Sequence, residues 1–272
     1  MGPAHQGATV HSETRVDAPP IAVWEAWALP EWITQWYADS AHGALRPEAP
    51  AVWGFEHFGV SFELTTYEAR PGEYLLFGAE MPDGPAILHE LQLTPDGDGT
   101  RVALTYSGIL EGAGHVETLQ GCISGWEMAL AQLKHWMEHY PGEERVHLMS
   151  IRPAEFEYAD LQPFYETGPG LAAWLATEFE GVVEPFEMDD EIHVLLRDDG
   201  ALSGRVLART AREVLLEWRE ARGVLGLKCF GQGPESRMVA LDFSAWSLPG
   251  GDLAAAQAIL DGATERLLQS IA

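Results

Sequence analysis

Residues 18–36 have the sequence APPIAVWEAWALPEWITQW, and this stretch decides the fold of the first half of the chain. Asp17 is placed to cap a helix, and the prolines that follow are favoured in a first helical turn. The pattern predicts one short helix over Ile21–Leu29, which Pro30 ends, and a second over Glu31–Tyr37. Both helices are rich in tryptophan. Their rings either cap a sheet and fill its core, which is the simpler interpretation, or line a pocket.

Strand-like runs surround these two helices. A first strand is predicted at Thr9–Asp17, and turn-forming residues separate the runs that come after the helices. The later predicted strands are Ala51–Phe58, Val60–Ala69, Glu73–Glu80, Ala86–Thr94 and Thr100–Gly108. Alternation inside the runs gives the sheet one apolar face, which needs a cover. Glu117–His139 has a broad apolar stripe at helical spacing, and we predict that this long helix is the cover.

The second half of the chain repeats this order more faintly. After a linker at 142–150, Ile151–Tyr158 is predicted as a strand and Asp160–Glu180 as two short helical stretches. The remaining predicted elements are strands at Val182–Glu187, Glu191–Arg197, Leu202–Ala208, Glu213–Glu220, Val224–Phe230 and Arg237–Trp246, then a helix from Asp252 to Ile271. Arg70–Phe77 parallels Thr210–Glu217 in sequence. We interpret the chain as a duplicated unit whose copies have diverged.

The stretch at 18–36 resembles the opening of START-like (SRPBCC) domains of the heat-shock chaperone ATPase activator type. Three later features agree with the resemblance, namely Arg70–Leu75, Gly99–Tyr106 and the Gly–Trp pair at 125–126. The resemblance implies an α+β fold of two tandem helix-grip domains. Each would be a curved antiparallel sheet of seven strands, wrapped on a long C-terminal helix with a cavity between the two.

Length and element order place the two domains at residues 8–141 and 148–272. The chain has 272 residues, which is comfortable for two domains of roughly 120–150 residues each. The second domain lacks the paired tryptophans of the first, so its membership rests on position and order. We expect it to contribute structure or a lid rather than chemistry.

Composition excludes several classes of partner. The chain has 42 acidic and 16 basic residues, a formal net charge of −26, and the acidity is spread over both halves. Such a surface repels nucleic acids and anionic lipids. No apolar run is long enough to span a membrane, and the N-terminus has no secretory signal pattern. With Cys122 and Cys229 far apart in sequence, we expect a reduced cytoplasmic protein.

Aromatic side chains dominate the predicted inner face and define the candidate ligand-binding site. The candidate residues are Trp32, Trp36, Trp53, Phe55, His57, Phe62, Phe77, His89, Tyr106, Trp126 and Leu130. A pocket lined in this way would select a flat or greasy ligand of modest size. The same rings could instead pack on one another and fill the cavity.

Catalytic chemistry has weaker support. His57, His89 and Tyr106 could move a proton in an aldol-type cyclisation if all three face the helix, and we expect His57 to alternate inward after Trp53 and Phe55. A lone histidine in a sheet is more often structural. The sequence has no nucleophile elbow, phosphate loop or metal-ligand spacing, so we expect no cofactor and no metal.

Three functions therefore stay open. The leading one is a cytoplasmic protein that binds a small hydrophobic or aromatic molecule in its first domain. The second, implied by the resemblance, is a chaperone ATPase activator; its partners are themselves acidic, so a net charge of −26 disfavours their encounter. The third is an enzyme that resembles polyketide cyclases or hydrolases.

Overall fold

The chain divides into two compact units, Met1–Glu143 and Glu144–Ala272. Their structure is a computed structural model. It describes residues 5–81, 84–109, 115–181, 184–197, 200–231, 237–247 and 253–271. Each unit contains one seven-stranded antiparallel sheet and ends in a long helix, which confirms the predicted α+β fold of two tandem helix-grip domains.

The first unit places two short helices after its first strand and the long helix at its end. Its elements are β1 (Ala8–Val16), α1 (Pro20–Ala28), α2 (Pro30–Ile33), β2 (Ser40–His42), β3 (Ala51–Phe55), β4 (Val60–Arg70), β5 (Tyr74–Ala79), β6 (Ile87–Asp96), β7 (Gly99–Ile109) and α3 (His115–His139). The strands lie in the order β1-β7-β6-β5-β4-β3-β2. β1 and β7, the first and last strands of this unit, pair with each other. The helix α3 packs on both of them.

The predicted period-2 pattern explains which face of this sheet α3 covers. β7 lies between β1 and β6. Along this strand Val102 and Leu104 are buried, whereas Arg101 points to the other face and is exposed. The apolar stripe of α3 packs on this face of the sheet, and its residues Leu130 and Leu133 are both buried. We call the face of the sheet that meets α3 its inner face.

The start of α1 differs from the sequence prediction. Pro19 occupies the position before the helix, and no side chain caps it. Asp17 instead pairs with Arg15, and its backbone N–H donates to Glu138 Oε1 at 2.9 Å. The backbone N–H groups of Ala22 and Val23 donate to the Pro19 carbonyl at 3.0 and 3.2 Å, so the helix loses little without the aspartate.

The second short helix ends earlier than predicted. The sequence pattern extends it to Tyr37, whereas α2 stops at Ile33. Residues 34–37 form turns that bury Trp36, whose indole N–H donates to the Ala26 carbonyl at 2.9 Å. Burial of this ring outweighs continuation of a short helix.

The second unit has the same topology as the first. Its elements are β8 (Arg145–Ala154), α4 (Tyr158–Glu166), α5 (Gly168–Trp174), β9 (Ala176–Gly181), β10 (Glu191–Leu196), β11 (Ala201–Arg209), β12 (Glu213–Trp218), β13 (Gly223–Gly231), β14 (Arg237–Trp246) and α6 (Leu253–Ile271). The order β8-β14-β13-β12-β11-β10-β9 repeats that of the first sheet. The parallel sequence segments end in β5 and β12, which occupy equivalent places in the two sheets. The predicted cap of the last helix, Asp252, lies outside the described residues.

Two predictions for the second unit were wrong. Residues 145–150, predicted as linker, belong to β8 and pair with β14. The strand predicted at Val182–Glu187 comes too late, because β9 ends at Gly181 and residues 184–187 form no strand; residues 182 and 183 lie outside the described part. β8 mixes polar and apolar residues, and polar side chains in it form hydrogen bonds, for example His147 with Asp242. β9 lies at the sheet edge, where polar side chains are common.

Candidate ligand-binding site

One row of side chains crosses the inner face of the first sheet from β1 to β4. The strand registers place Val10 opposite Tyr106, Tyr106 opposite His89, His89 opposite Phe77 and Phe77 opposite Thr66. Directly opposite residues of antiparallel neighbours share one face of a sheet. The His89 ring stacks on Phe77, with centroids 4.7 Å apart and planes inclined by 4°. A tyrosine, a histidine and a threonine therefore lie in one row with the apolar Val10 and Phe77.

The long helix α3 contributes a tryptophan above this row. The Trp126 ring lies 5.2 Å from His89 and 5.8 Å from Tyr106, measured between centroids. One turn earlier, the Cys122 thiol lies close to the Tyr106 hydroxyl, and burial raises the pKa of both groups. One turn later, the buried Leu130 continues the same helical face.

Further rings from α1, β3, β4 and the turn after α2 complete an aromatic cluster. Its members are Trp27, Trp36, Tyr37, Trp53, Phe55, Phe62, Phe77, His89, Tyr106 and Trp126. The contacts include Trp27 with Trp126 at 5.9 Å and Tyr37 with Trp126 at 5.3 Å, both stacked. Many rings thus pack on one another, as one of the two interpretations of the sequence anticipates.

Burial is graded across the aromatic cluster. Trp27, Trp36 and Phe77 are fully buried and form its deep end. Four other members are only half-buried and form its open end, Tyr37, Phe55, Phe62 and Tyr106.

Three polar atoms inside the cluster and its row have no hydrogen-bond partner among the described residues. They are His89 Nδ1, Thr66 Oγ1 and Trp27 Nε1. A buried polar group that lacks a partner costs about 1–3 kcal/mol. Burial lowers the pKa of His89 to about 3, so the ring is neutral near pH 7 and offers one donor and one acceptor. The cluster therefore holds unused hydrogen-bonding capacity next to stacked rings.

Most of the predicted site residues come together. Those within the aromatic cluster are Trp36, Trp53, Phe55, Phe62, Phe77, His89, Tyr106 and Trp126. Trp32 does not join them, since its ring packs on Trp136 at 5.9 Å.

His57 also lies elsewhere, which corrects the expected inward alternation after Phe55. It sits on an exposed 3₁₀ turn, Glu56–Phe58, that Gly59 closes with a φ of 64°. The glycine permits this left-handed conformation, so the chain reverses into β4 before the alternation can continue.

Sequence reasoning missed three residues of this region, Trp27, Tyr37 and Thr66. Trp27 is one of several tryptophans in the two short helices, and no pattern singles it out; its ring lies 4.9 Å from that of Trp36. Thr66 could have been found from the alternation of β4, because it follows the buried Leu64 by two residues. No sequence pattern marks Tyr37, whose place depends on the turn after α2.

A protein-family model matches residues 17–138; its description is "Activator of Hsp90 ATPase homolog 1-like protein". The matched residues all lie within the first unit. The match confirms the resemblance that residues 18–36 indicate. No curated protein sequence matches the chain. Within the described residues, no helix is both long and apolar enough to cross a membrane.

Several solved structures are similar to the chain at low sequence identity. DynU16, from the dynemicin biosynthetic locus, is 18% identical over 97% of this chain and 98% of its own, with a TM-score of 0.45. The di-domain ARO/CYC protein BexL, from the BE-7585A biosynthetic pathway, is 12% identical over 97% of both chains, with a TM-score of 0.45. Aha1 from Colwellia psychrerythraea is 17% identical over 50% of this chain and 100% of its own, with a TM-score of 0.44.

Proposed function

We propose that the first unit binds a small, planar, mostly apolar molecule at the open end of the aromatic cluster. His89 carries this proposal. Its side chain is 8% exposed, its Nδ1 atom has no partner among the described residues, and it lies between the rings of Phe77, Tyr106 and Trp126. A ligand with one hydrogen-bonding group would satisfy the imidazole while its ring system stacks on the half-buried aromatics.

The energetics of the aromatic cluster favour such a ligand. Small-molecule sites are mostly apolar, with a few polar groups that fix orientation. Each aromatic pair contributes about 0.5–1.5 kcal/mol beyond its buried area, so a planar ligand gains from several faces at once. The half-buried rings of Tyr37 and Tyr106 are partly solvated, and covering them removes further apolar area from water.

Binding is favoured over cyclase chemistry for a reason that concerns the same residues. A general acid or base works best with a pKa near the operating pH. Burial lowers the pKa of His89 to about 3 and raises that of Tyr106. His57, the third candidate, lies on the exposed turn away from the inner face. The three residues therefore do not form a proton-transfer group.

A chaperone ATPase activator is the second candidate, and the family description favours it. The net charge of −26 opposes encounter with an acidic partner. Adding the chain to the chaperone of its host and measuring the ATPase rate decides between the two. An increase in rate supports activation, and an unchanged rate leaves small-molecule binding as the function.

Titration with 2-naphthol and with naphthalene tests the proposed function. Both molecules are planar, and only 2-naphthol can hydrogen-bond to His89. We expect calorimetry to show that His89→Leu weakens 2-naphthol binding about tenfold, as loss of one hydrogen bond of about 1.4 kcal/mol would. Naphthalene binding should be unaffected by the same change.

The exposed His57→Leu variant is the matched control and should bind both molecules like the unmodified chain. The proposal fails if neither molecule binds, or if His57→Leu weakens 2-naphthol binding as much as His89→Leu does.

A further inference from the structure

A cavity of about 210 Å³ lies in the second unit, between the inner face of its sheet and α6. It is lined by Leu175, Leu196, Gly200, Trp218, Leu225, Leu241, Ile259, Leu260, Ala263 and Arg266. Ile259 is 49% exposed, so it marks the mouth of the cavity, whereas Leu225 and Leu241 on the sheet are fully buried. The walls are almost entirely apolar, and Arg266 is the one charged residue among them.

That guanidinium, of Arg266, lacks the partner that other arginines of this acidic chain have. Arg219 pairs with Glu191 at 2.8 Å and Arg209 with Glu166 at 2.9 Å. No carboxylate of the described residues pairs with Arg266. Its Nε–H donates to the backbone carbonyl of Trp174 at 2.9 Å, which fixes the plane of the group and leaves both terminal nitrogens without a bond to the described residues.

We propose that this cavity is a second binding site, and that it takes a small carboxylic acid with an apolar body. A guanidinium matches a carboxylate through two parallel N–H···O bonds, and such charge-assisted bonds are among the strongest in proteins. The apolar walls suit the remainder of the molecule. The site is in a different unit from the aromatic cluster and consists of different residues, so this proposal does not depend on the proposed function.

Cavity volume limits the size of the acid. A cavity of about 150 Å³ admits benzene, so the larger space here fits one ring with a short side chain, or an aliphatic chain of about eight carbons. The carboxylate would lie at Arg266, and the chain would run along Trp218 and Leu241. Because the bond to Trp174 already orients the guanidinium, little side-chain freedom is lost on binding.

Calorimetric titration of the full chain with sodium octanoate and with 1-octanol tests the charge recognition. Both probes have the same eight-carbon chain, and only octanoate is anionic. Arg266→Met keeps the apolar stem of the arginine and removes its charge. We expect this change to weaken octanoate binding at least tenfold and to leave octanol binding within about threefold of the unmodified chain, since an ionic hydrogen bond is about twice as strong as a neutral one. Arg101→Met, an exposed change in the first unit, is the control and should alter neither.

A second variant tests the location. Ala263→Phe places a ring in the cavity from α6, and circular dichroism establishes that the variant is folded. Both probes should then lose binding at least tenfold. Three results would overturn the proposal: equal octanoate affinity in Arg266→Met, undiminished binding of both probes in folded Ala263→Phe, or no binding of octanoate to the unmodified chain.

Discussion

Replacing His89 by leucine should remove a specific acid sensitivity from the first unit. Burial lowers the pKa of His89 to about 3 in the folded chain, whereas an unperturbed imidazole has a pKa of about 6.5. Between about pH 6.5 and pH 3, His89 is therefore protonated in the unfolded chain and neutral in the folded chain. The stability due to neutral His89 is complete above pH 6.5 and declines as the pH falls towards 3.

The size of this effect follows from the pKa difference. Each pH unit between the two pKa values removes about 1.4 kcal/mol from the free energy of unfolding. The unmodified chain should lose about 2 kcal/mol by pH 5 and about 3 kcal/mol by pH 4 through His89 alone. His89→Leu should be at least as stable at neutral pH, because it also removes a buried nitrogen without a partner.

Urea unfolding, followed by tryptophan fluorescence from neutral pH to about pH 4, measures both quantities. His11→Leu is the control, since His11 lies on the exposed side of β1 and bonds Thr105 Oγ1 at 3.0 Å. Its stability should fall with acidification as that of the unmodified chain does. If His89→Leu also falls in parallel with the unmodified chain, the reasoning about the buried imidazole is refuted.

Three further changes test charge pairing and packing. Lys228→Met leaves the mostly buried Asp242 carboxylate without the ammonium that bonds it at 2.5 Å, and urea unfolding should show a loss of about 3 kcal/mol; an unchanged stability would argue against this pair. Trp126→Ala should cost about 3–5 kcal/mol, whereas Ile123→Ala on the exposed side of α3 should cost under about 1 kcal/mol. Equal losses would mean that α3 is rotated. Gly170→Ala would press a methyl group against a backbone carbonyl of α4, and calorimetry should show a melting point lower by about 5 °C or more; an unaltered melting point would contradict this close approach.

The central strands of the first sheet could be predicted from sequence because their pattern has one cause. Alternation along β5, β6 and β7 follows from one face meeting α3, so the positions of Phe77, His89 and Tyr106 are fixed by counting in twos. The same holds for the stripe that brings Trp126 and Leu130 to one side of α3.

Edges and turns could not be predicted in this way. The edge strands β2 and β9 are short, and too few of their side chains are buried to impose a pattern. The prediction that His57 lies on the inner face was wrong because a local 3₁₀ turn interrupts the alternation. The lack of a partner for Arg266 is a property of tertiary structure, since no spacing in the sequence shows which carboxylates lie beyond its reach.

Binding of a planar molecule at His89 is the central claim, and nuclear Overhauser effects test it most directly. The chain, with ¹³C-labelled aromatic side chains, is saturated with 2-naphthol. Intermolecular effects are expected between the naphthol protons and the rings of His89, Tyr106 and Trp126, which lie within 5.8 Å of one another by centroid. Effects confined to an exposed ring such as Phe58, or the absence of any, would contradict the claim.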